Sequence, residues 1–422
     1  SFINRIPRRN YRALSLSGTP VLAFRSAPPP RARHMAPPAA ATIADLREDL
    51  LQEVFIFLLT PADLIRAALA CKPFLGAVRS ASFLRRFRRR HPFTCPPVLG
   101  CFLDRPIEDH VQGTCGPLLL PVSPAAATRR FVKAGDFALS FLPARGLPYP
   151  DLWKVLDCRN GSLLLRNRVS GELAVADPLT RRSVSLPAPP AKRPVGYGLV
   201  ADDVDPSAFK AFCISRHSSG LRALLLSSGD LRWADVAGLT LPHKPDLADP
   251  RAMQANRSLY WPLKGRERMV ELNTATTEFA VLELPPPTST QQFDFQVIDK
   301  GDHGRAGALY LLTMCDFCVE VWGGWGDGSG GLAWKLVDRS VKFQRALLDM
   351  VGKKHFYRHR LDVVGVVAGG LFLRSGDHLL SIDLETMKLR VLPNEEKCPS
   401  ALVFPYTIAW PPSFLSPTKE SA

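Results

Sequence analysis

One pair of cysteines in this chain has the spacing of a zinc site or a thiol-redox site. Cys315 and Cys318 are separated by two residues. A structural zinc site needs four ligands, and no second pair with suitable spacing follows in the sequence. The segment from Leu309 to Trp322 has the pattern of a β-strand, whereas a thioredoxin-like motif needs the start of a helix. We therefore predict neither a metal site nor a redox site here.

Two histidines, His355 and His359, would lie one turn apart if their segment were helical. A metalloprotease motif carries a glutamate between its two histidines, and this chain has Phe, Tyr and Arg there. The sequence also lacks the G-x-S-x-G motif of an activated serine. We therefore predict no catalytic residue, no metal and no cofactor, and the missing motifs make an enzyme the less favoured class of protein.

A glycine-dense stretch runs from Gly323 to Gly331. It lacks the Lys-Ser/Thr ending of a phosphate-binding loop, so we interpret it as a flexible loop between strands. Trp322 and Trp325 lie beside it, and tryptophan is enriched where proteins bind one another. Trp322 and Trp325 are therefore weak candidates for substrate binding.

Basic residues give the chain a formal net charge of +15, but they are spread unevenly. Residues 1–40 contain seven arginines and no carboxylate, and residues 1–41 are rich in Pro, Ala and Arg. This composition predicts a disordered tail. Two interpretations of the tail stay open, an organelle transit peptide and sequence upstream of a translation start at Met35.

A second basic cluster extends from Arg85 to Arg90. A solvated face at the end of a helix, where cations suit the helix dipole, is favoured over a nuclear-import signal or a phosphate contact. We therefore do not expect binding to nucleic acid.

The cysteine count and the apolar runs bear on the compartment. The nine cysteines are scattered singly apart from the one pair, and an odd number without a spacing pattern favours a reducing compartment. The longest uncharged apolar run, Val363 to Leu373, is far shorter than the roughly 20 residues of a membrane helix. We expect a cytoplasmic or nuclear protein that does not enter a membrane.

Residues 42–91 are the most helical stretch of the sequence. Thr42 and Asp45 have capping-box spacing, and Thr60-Pro61 is a second start signal. A third helix is predicted from Pro73 to Leu84. Apolar residues recur at the spacing of one wide helical face, namely Leu50, Leu51, Val54, Phe55, Leu58 and Leu59.

Three short helices within about fifty residues cannot bury this apolar surface by themselves, because domains of that size are marginal. Part of the apolar face should therefore belong to a partner.

From about residue 97 the pattern changes to short strands separated by Gly, Pro, Asp and Ser. A unit of three strands repeats, with a D/N-x-x-T turn before its third strand and Leu-Pro at or near its end. The turns begin at Asp177, Asn273 and Asp383, which lie 96 and 110 positions apart. Intermediate units surround Trp233 and Trp322.

Repeats of about fifty residues indicate a propeller of the kelch type. We predict roughly six blades, the first beginning near Val98 and Phe102. The alternative is a β-sandwich with accidental self-similarity. The predicted fold class is therefore multidomain, α plus all-β, with a three-helix module followed by the propeller.

The helical segment resembles the F-box motif. The similarity lies in residues Leu46 to Phe55, followed by Leu64, Cys71-Lys72 and Phe83-Leu84. Two positions depart from the family pattern, which usually has proline at position 47 and often tryptophan at position 74, where this chain has Arg47 and Phe74.

The remainder resembles the propeller that follows the F-box in a plant family abundant in cereal grasses. The stretches Ser170 to Thr180 and Asp383 to Pro393 carry this resemblance. The domains are then a disordered basic tail at 1–41, an F-box at 42–91, a kelch-like propeller at 92–412 and a second disordered tail at 413–422.

The resemblance implies a substrate-recognition subunit of an SCF-type ubiquitin ligase that does no covalent chemistry. The F-box would bind a Skp-type adaptor, and through it a cullin and a RING subunit, while the propeller would bind an unknown protein substrate. The implied adaptor face draws on Leu46, Leu50, Leu51, Val54, Phe55, Leu58, Leu64, Cys71 and Phe74. Some of these must pack the core of the F-box itself, and the sequence does not divide the two sets.

Two alternatives remain. The first is an F-box interaction protein that acts outside any ligase. The second is a propeller that binds a small molecule or sugar, with a vestigial F-box. A polar central pocket with carboxylates would favour the second alternative, and a channel filled by apolar side chains would count against it.

Overall fold

The computed structural model describes six β-sheets and a helical segment. The described residues are 43–91, 98–104, 117–122, 132–133, 135–143, 153–202, 205, 207–241, 245–265, 267–285, 294–300, 307–315, 317–326, 328, 331–340, 343–351, 361–367, 369–376, 378–392, 402–412 and 415. None of the helices in these ranges has the length and apolar character needed to cross a membrane.

Four α-helices follow a 3-10 turn at Ile43–Asp45. They are α1 (Glu48–Phe55), α2 (Pro61–Ala68), α3 (Lys72–Val78) and α4 (Ala81–Arg90). The Thr60 side chain accepts the Asp63 N–H and so caps α2 as the sequence predicts. A further helix, α5 (Gln344–Val351), lies between two blades of the propeller.

The helical segment has four helices where the sequence analysis expected three. The predicted third helix is interrupted at Ser80, which has an extended backbone and accepts the Phe83 N–H as the cap of α4. The first helix begins at Glu48, with Arg47 as its N-cap. The expected capping box involves Thr42, which lies outside the described residues.

The six sheets are the six blades of a β-propeller, as the repeats predicted. Strands β1 (Val98–Asp104) and β2 (Leu118–Pro121) come first. Blade 1 has β3 (Trp153–Arg159), β4 (Ser162–Asn167), β5 (Leu173–Asp177) and β6 (Arg182–Leu186); blade 2 has β7 (Pro194–Ala201), β8 (Phe209–Arg216), β9 (Gly220–Ser227) and β10 (Ala234–Thr240). Blade 3 has β11 (Met253–Ala255), β12 (Ser258–Pro262), β13 (Arg268–Asn273) and β14 (Phe279–Glu283).

Blades 4 and 5 repeat the same antiparallel order. Blade 4 has β15 (Phe295–Ile298), β16 (Leu309–Cys315), β17 (Cys318–Gly326) and β18 (Leu332–Arg339). Blade 5 has β19 (Leu361–Val367), β20 (Gly370–Ser375), β21 (His378–Asp383) and β22 (Leu389–Val391), and the last strand is β23 (Leu402–Thr407).

The ring closes in blade 6 through strands from both ends of the propeller. Strand β23 pairs with β1, and β1 pairs with β2. Strand β23 also contacts the first strands of blades 1 and 5, so it is the innermost strand of its blade. The strand that begins at Val98 therefore belongs to the closing blade and does not open a blade of its own.

The D/N-x-x-T turns form as the sequence predicts. Asp177 Oδ1 accepts the N–H groups of Leu179 and Thr180 at 2.9 and 3.2 Å. Asn273 and Asp383 accept backbone N–H groups in the same way. Each turn joins the third and fourth strands of a blade, because the chain must reverse there within four residues.

The first strand of blade 2 packs closely against the second strand of blade 3. A Cβ atom on Gly198 would lie 2.7 Å from Leu259 Cδ1, closer than a side chain can approach. Leu259 and Trp261 of blade 3 are fully buried. Packing between blades 2 and 3 therefore needs glycine in β7.

Two carboxylates, the buried Asp157 and the half-buried Asp294, join neighbouring blades. Asp157 Oδ2 in blade 1 accepts the Leu199 N–H of blade 2 at 2.8 Å, and Asp294 Oδ2 accepts the Val363 N–H of blade 5 at 2.7 Å. Burial raises the pKa of Asp157 above its ordinary value, while Arg159 and the accepted N–H groups act in the opposite direction. These bonds satisfy strand N–H groups that would otherwise be buried without an acceptor.

Replacing Asp157 by alanine removes the acceptor of the buried Leu199 N–H. We expect the free energy of unfolding to fall by about 1–3 kcal/mol, measured by urea-induced unfolding. Asp230→Ala is the matched control, because Asp230 is exposed in a turn, and should change stability by less than about 0.5 kcal/mol. Equal stability of the two variants would show that the bond between blades contributes nothing.

Candidate partner-binding surfaces

Exposed apolar side chains are concentrated in the helical segment. Half of the exposed large apolar residues in the described part of the chain lie there, namely Ile43, Leu46, Leu50, Val54, Phe57, Leu59 and Leu69. Large contiguous patches of exposed apolar side chains on folded proteins commonly mark interaction sites.

Four of these residues lie on or next to α1. Leu50 and Val54 are four residues apart on the helix and so share a face of it, while Leu46 precedes the helix by two residues and Phe57 follows it by two. Their exposed fractions are 39%, 49%, 45% and 65%. We call these four residues the α1 stripe. Phe57 was absent from the residues named at the sequence level, although its spacing from Val54 could have indicated it.

The structure separates the candidate adaptor-face residues into exposed residues and residues that pack the helical core. Leu46, Leu50 and Val54 are exposed, whereas Leu51, Phe55 and Leu64 are buried. Leu58, Cys71 and Phe74 are half-buried. The buried set packs with the inward faces of α3 and α4, including Ala77, Val78, Phe83, Leu84 and Phe87.

Phe74 contributes to this core at the position where the F-box pattern often has tryptophan. Its ring meets the Phe55 ring edge to face, with centroids 5.0 Å apart. Edge-to-face pairs are a favoured aromatic geometry. The departure at Phe74 therefore keeps an aromatic contact inside the core.

Arginines of α4 flank the α1 stripe on one side. Arg86 Nη2 donates to Glu53 Oε1 at 2.7 Å, and the Arg90 guanidinium lies 5.0 Å from the centroid of the Phe57 ring. Arg85 and Arg89 are exposed on the adjoining face of α4.

The core of the helical segment is completed by the C-terminal end of the chain. Trp410 and Leu415 are buried among the helices at 1% and 0% exposure. The Trp410 ring stacks on the Phe87 ring with centroids 6.0 Å apart. The helices therefore do not form a core by themselves, as their size predicted. Trp410 and Leu415 of the same chain cover part of the apolar surface that the helices leave open.

Blade 1 holds Trp410 in place. The Asn160 side chain donates to the Trp410 carbonyl at 3.0 Å and accepts the Trp410 N–H at 2.8 Å. Beside it, a Cβ on Gly161 would lie 2.6 Å from the Ala409 nitrogen, and Gly161 has a φ of +84°. The turn between β3 and β4 is therefore shaped to receive the C-terminal segment.

A polar cavity of about 100 Å³ lies on the propeller axis. Asp157, Asp249 and Asp294 line it together with Arg251. This is the polar, carboxylate-bearing pocket that would favour the small-molecule alternative.

Arg251 is the most extensively bonded polar group of the cavity. Arg251 donates to both oxygens of Asp249, and its Nη1 donates to the carbonyls of Val364 and Val403 at 3.3 and 3.0 Å. Burial acts to lower the pKa of Arg251, but Asp249 and more distant carboxylates outweigh it and leave the pKa above its ordinary value. Arg251 thus joins blades 5 and 6 from its position before β11. Arg159, which also lines the cavity, has its Nε buried without a hydrogen-bond partner among the described residues.

The two tryptophans proposed for substrate binding lie within blade 4. Trp322 is 8% exposed and packs against blade 3, with Nε1 donating to Glu320 Oε2 at 3.3 Å. Trp325 is half-buried and packs against blade 5. Trp322 therefore offers almost no surface to a substrate, because its ring fills the gap between blades.

The glycine-dense stretch is a strand up to Gly326, which corrects its interpretation as a loop. A Cβ on Gly323 would lie 2.9 Å from the Trp325 ring, and one on Gly324 would lie 2.8 Å from the Trp334 ring. These glycines therefore leave room for aromatic rings that cross the sheet face.

The remaining sequence motifs take structural positions or lie outside the described residues. Cys315 and Cys318 face each other across the hairpin of β16 and β17, and no disulfide links the described cysteines. Within the described ranges no cluster of metal-ligating side chains is present. His355 and His359 lie outside those ranges.

Comparison with protein families matches residues 154–414, more than half of the chain, to the family described as F-box protein AT5G49610-like, beta-propeller. The chain belongs to this family. The match covers five complete blades and the closing strand β23, and it begins beyond the four N-terminal helices. The family therefore supports a plant-type F-box protein with a propeller, while the kelch-type and cereal-type assignments remain predictions.

Solved structures with similar backbones include a nidogen/laminin complex, at 11% identity over 74% of this chain and 99% of that chain with a TM-score of 0.40. The WD40 domain of SCAP from fission yeast matches at 13% identity over 57% and 55%, with a TM-score of 0.31. The Nup133 beta-propeller domain of Vanderwaltozyma polyspora matches at 9% identity over 64% and 71%, with a TM-score of 0.33. No curated protein matches the chain.

Trp410→Ala should loosen the helical segment, because it removes a buried ring from a core that is otherwise small. We expect the free energy of unfolding of the helical segment to fall by about 3–5 kcal/mol. Hydrogen–deuterium exchange in α1 to α4 should then be faster than in the parent, while exchange in the blades should not change. Leu69→Ala is the control, since Leu69 is 66% exposed, and should leave exchange unchanged. Unchanged exchange in the Trp410 variant would contradict the shared core.

Arg47→Pro should stabilise the helical segment, because Arg47 is the N-cap of α1 with a φ of −63°, close to the value that proline imposes. We expect the free energy of unfolding to rise by about 0.4–1 kcal/mol, because proline makes the unfolded chain less flexible. Thermal unfolding measures this change. Arg66→Pro is the control inside α2 and should cost about 3 kcal/mol. A destabilised Arg47 variant would show that the backbone here does not accept proline.

Proposed function

We propose that this chain is a substrate-recognition subunit of an SCF-type ubiquitin ligase. The α1 stripe binds a Skp-type adaptor, which connects the chain to a cullin and a RING subunit, and the propeller binds the target protein. The observation that carries the proposal is the exposed α1 stripe on a helical segment joined to the propeller of an F-box family.

The adaptor contact accounts for apolar surface that folding leaves exposed. Trp410 and Leu415 complete the inner side of the helices, yet Leu50 and Val54 still expose almost half of their side chains. Full burial of an exposed apolar side chain contributes roughly 1.5–3 kcal/mol, so covering the exposed half of Leu50 or Val54 would contribute about half of that. Packing of an apolar helix face against a partner is a recurring mode of recognition.

The propeller directs a target away from the adaptor. The turn after β3 holds the C-terminal segment on which the helices pack. In an antiparallel blade, the turns between second and third strands lie at the opposite end, for example between β4 and β5 and between β8 and β9. Loops on a rigid scaffold commonly bind ligands, so we expect the target there. Trp325 lies at the opposite end of β17 from the β16–β17 turn, so it is not part of this loop surface.

The axial cavity gives the small-molecule alternative its main support. Its carboxylates bind Arg251 and strand N–H groups, and this structural use fits a propeller that binds protein through its loops. The proposed role needs no catalytic residue and no cofactor, and it places the chain in the cytoplasm, the nucleus or both.

The direct test is co-purification of the chain with a plant Skp-type adaptor, using Val54→Asp as the disrupting variant. Val54 is 45% exposed, so the free protein should tolerate the carboxylate, whereas burial in the interface should cost several kcal/mol and abolish binding. Val184→Asp is the control, because Val184 is exposed on the outermost strand of blade 1, and should bind like the parent.

Three outcomes separate the alternatives. Binding by the parent and the control, but not by Val54→Asp, supports the adaptor contact. Adaptor binding without recruitment of cullin would indicate an F-box protein that acts outside a ligase. Failure of the folded parent to bind would reject the proposal and favour a ligand in the propeller.

A further inference from the structure

Helix α4 carries five arginines and no carboxylate in ten residues. Two of them have partners beside the α1 stripe, Arg86 with Glu53 and Arg90 with the Phe57 ring. Arg85 and Arg89 project from the adjoining face and are both exposed. Within the described residues, no carboxylate lies within ion-pair distance of either one.

This arrangement costs stability in the isolated chain. Arg85 and Arg89 are four residues apart, so their guanidinium groups are neighbours on the helix surface, where like charges repel. Cations in the last turn suit the helix dipole, but Arg85 lies in the first half of α4 and gains little from it. The dipole that explained the cluster at the sequence level therefore explains only its C-terminal part.

The position of the pair relates it to the α1 stripe. Arg90 covers Phe57 at one end of the stripe, and Arg86 reaches Glu53 near its middle. On a helix, Arg86 and Arg90 lie on one row and Arg85 and Arg89 lie on the next row. The unopposed pair therefore lies one helical row beyond the residues that touch the edge of the apolar surface, on the side of α4 that faces away from the buried Phe83, Leu84 and Phe87.

We propose that Arg85 and Arg89 form the rim of the adaptor interface and bind an acidic segment of the adaptor. This rests on the proposed function, since it assigns a second set of contacts to the same partner. The segment presents carboxylates beside the apolar residues that cover the α1 stripe. Arginine suits this role because its planar group donates to both oxygens of a carboxylate.

Charges at the rim of an interface act mainly on the association rate. Opposite charges steer the partners together before the apolar surfaces meet, whereas the buried contacts set the dissociation rate. Added salt should therefore slow association of the parent strongly, because exposed charges are screened. The association rate of a variant that lacks the charges of Arg85 and Arg89 should fall much less with added salt.

The experiment measures association and dissociation rates of the full chain with a plant Skp-type adaptor at low and high salt. Arg85→Gln/Arg89→Gln should associate about tenfold more slowly at low salt, with a nearly unchanged dissociation rate. Arg85→Lys/Arg89→Lys should recover most of the association rate. Arg181→Gln/Arg182→Gln is the matched control, an exposed arginine pair in blade 1 that should behave as the parent.

The outcomes separate this inference from the proposed function. A parent that does not bind the adaptor rejects both. A parent that binds while the glutamine variant keeps the same rates and salt dependence rejects only the arginine rim. Duplex DNA binding that the glutamine variant loses, together with unchanged adaptor rates, would assign the pair to nucleic acid and overturn the inference.

Discussion

The indole of Trp410, from the end of the chain, fills the core of helices that lie at its beginning. Four short helices cannot bury enough apolar surface to be stable by themselves, and Trp410 with Leu415 supplies what they lack. Strand β23 ends three residues before Trp410, so one continuous segment closes the propeller ring and then enters the helical core. Loss of this contact would free the helices from the propeller and expose their inner face.

The same contact separates two kinds of apolar residue in the helical segment. Leu51, Phe55 and Leu64 face Trp410 and its neighbours, while the α1 stripe faces outward. Because the Asn160 side chain bonds both backbone groups of Trp410, the stripe keeps a fixed direction relative to the blades. Under the proposed function, this geometry would hold the target at a defined distance and orientation from the adaptor.

Local patterns were enough to predict the repeating elements. The turns at Asp177, Asn273 and Asp383 are encoded by a side chain and backbone groups within three residues, and the outer three strands of each predicted unit formed as expected. The predicted unit had no innermost strand, since glycines interrupt β7 and β19, and Gly198 of β7 lies where blade 2 packs closely against blade 3. Their pattern depends on neighbours distant in sequence.

The candidate site was less predictable, because it also depends on contacts between residues that are distant in sequence. The apolar face of α1 was evident from its spacing, but its division into a core and a stripe depends on Trp410, more than 350 positions away. Likewise Trp322 resembled a recognition residue beside glycines until its ring proved to fill the gap between blades 3 and 4. The break at Ser80 depends on a single side-chain hydrogen bond, which competes with continuation of the helix.

Hydroxyl-radical footprinting of the chain with and without a plant Skp-type adaptor tests the central claim most directly, because it reports the solvent exposure of individual side chains. The account predicts that Leu46, Leu50, Val54 and Phe57 become protected on binding, while the exposed Val184 and Leu231 of the propeller keep their reactivity. Unchanged reactivity of the α1 stripe in the presence of saturating adaptor would contradict the account.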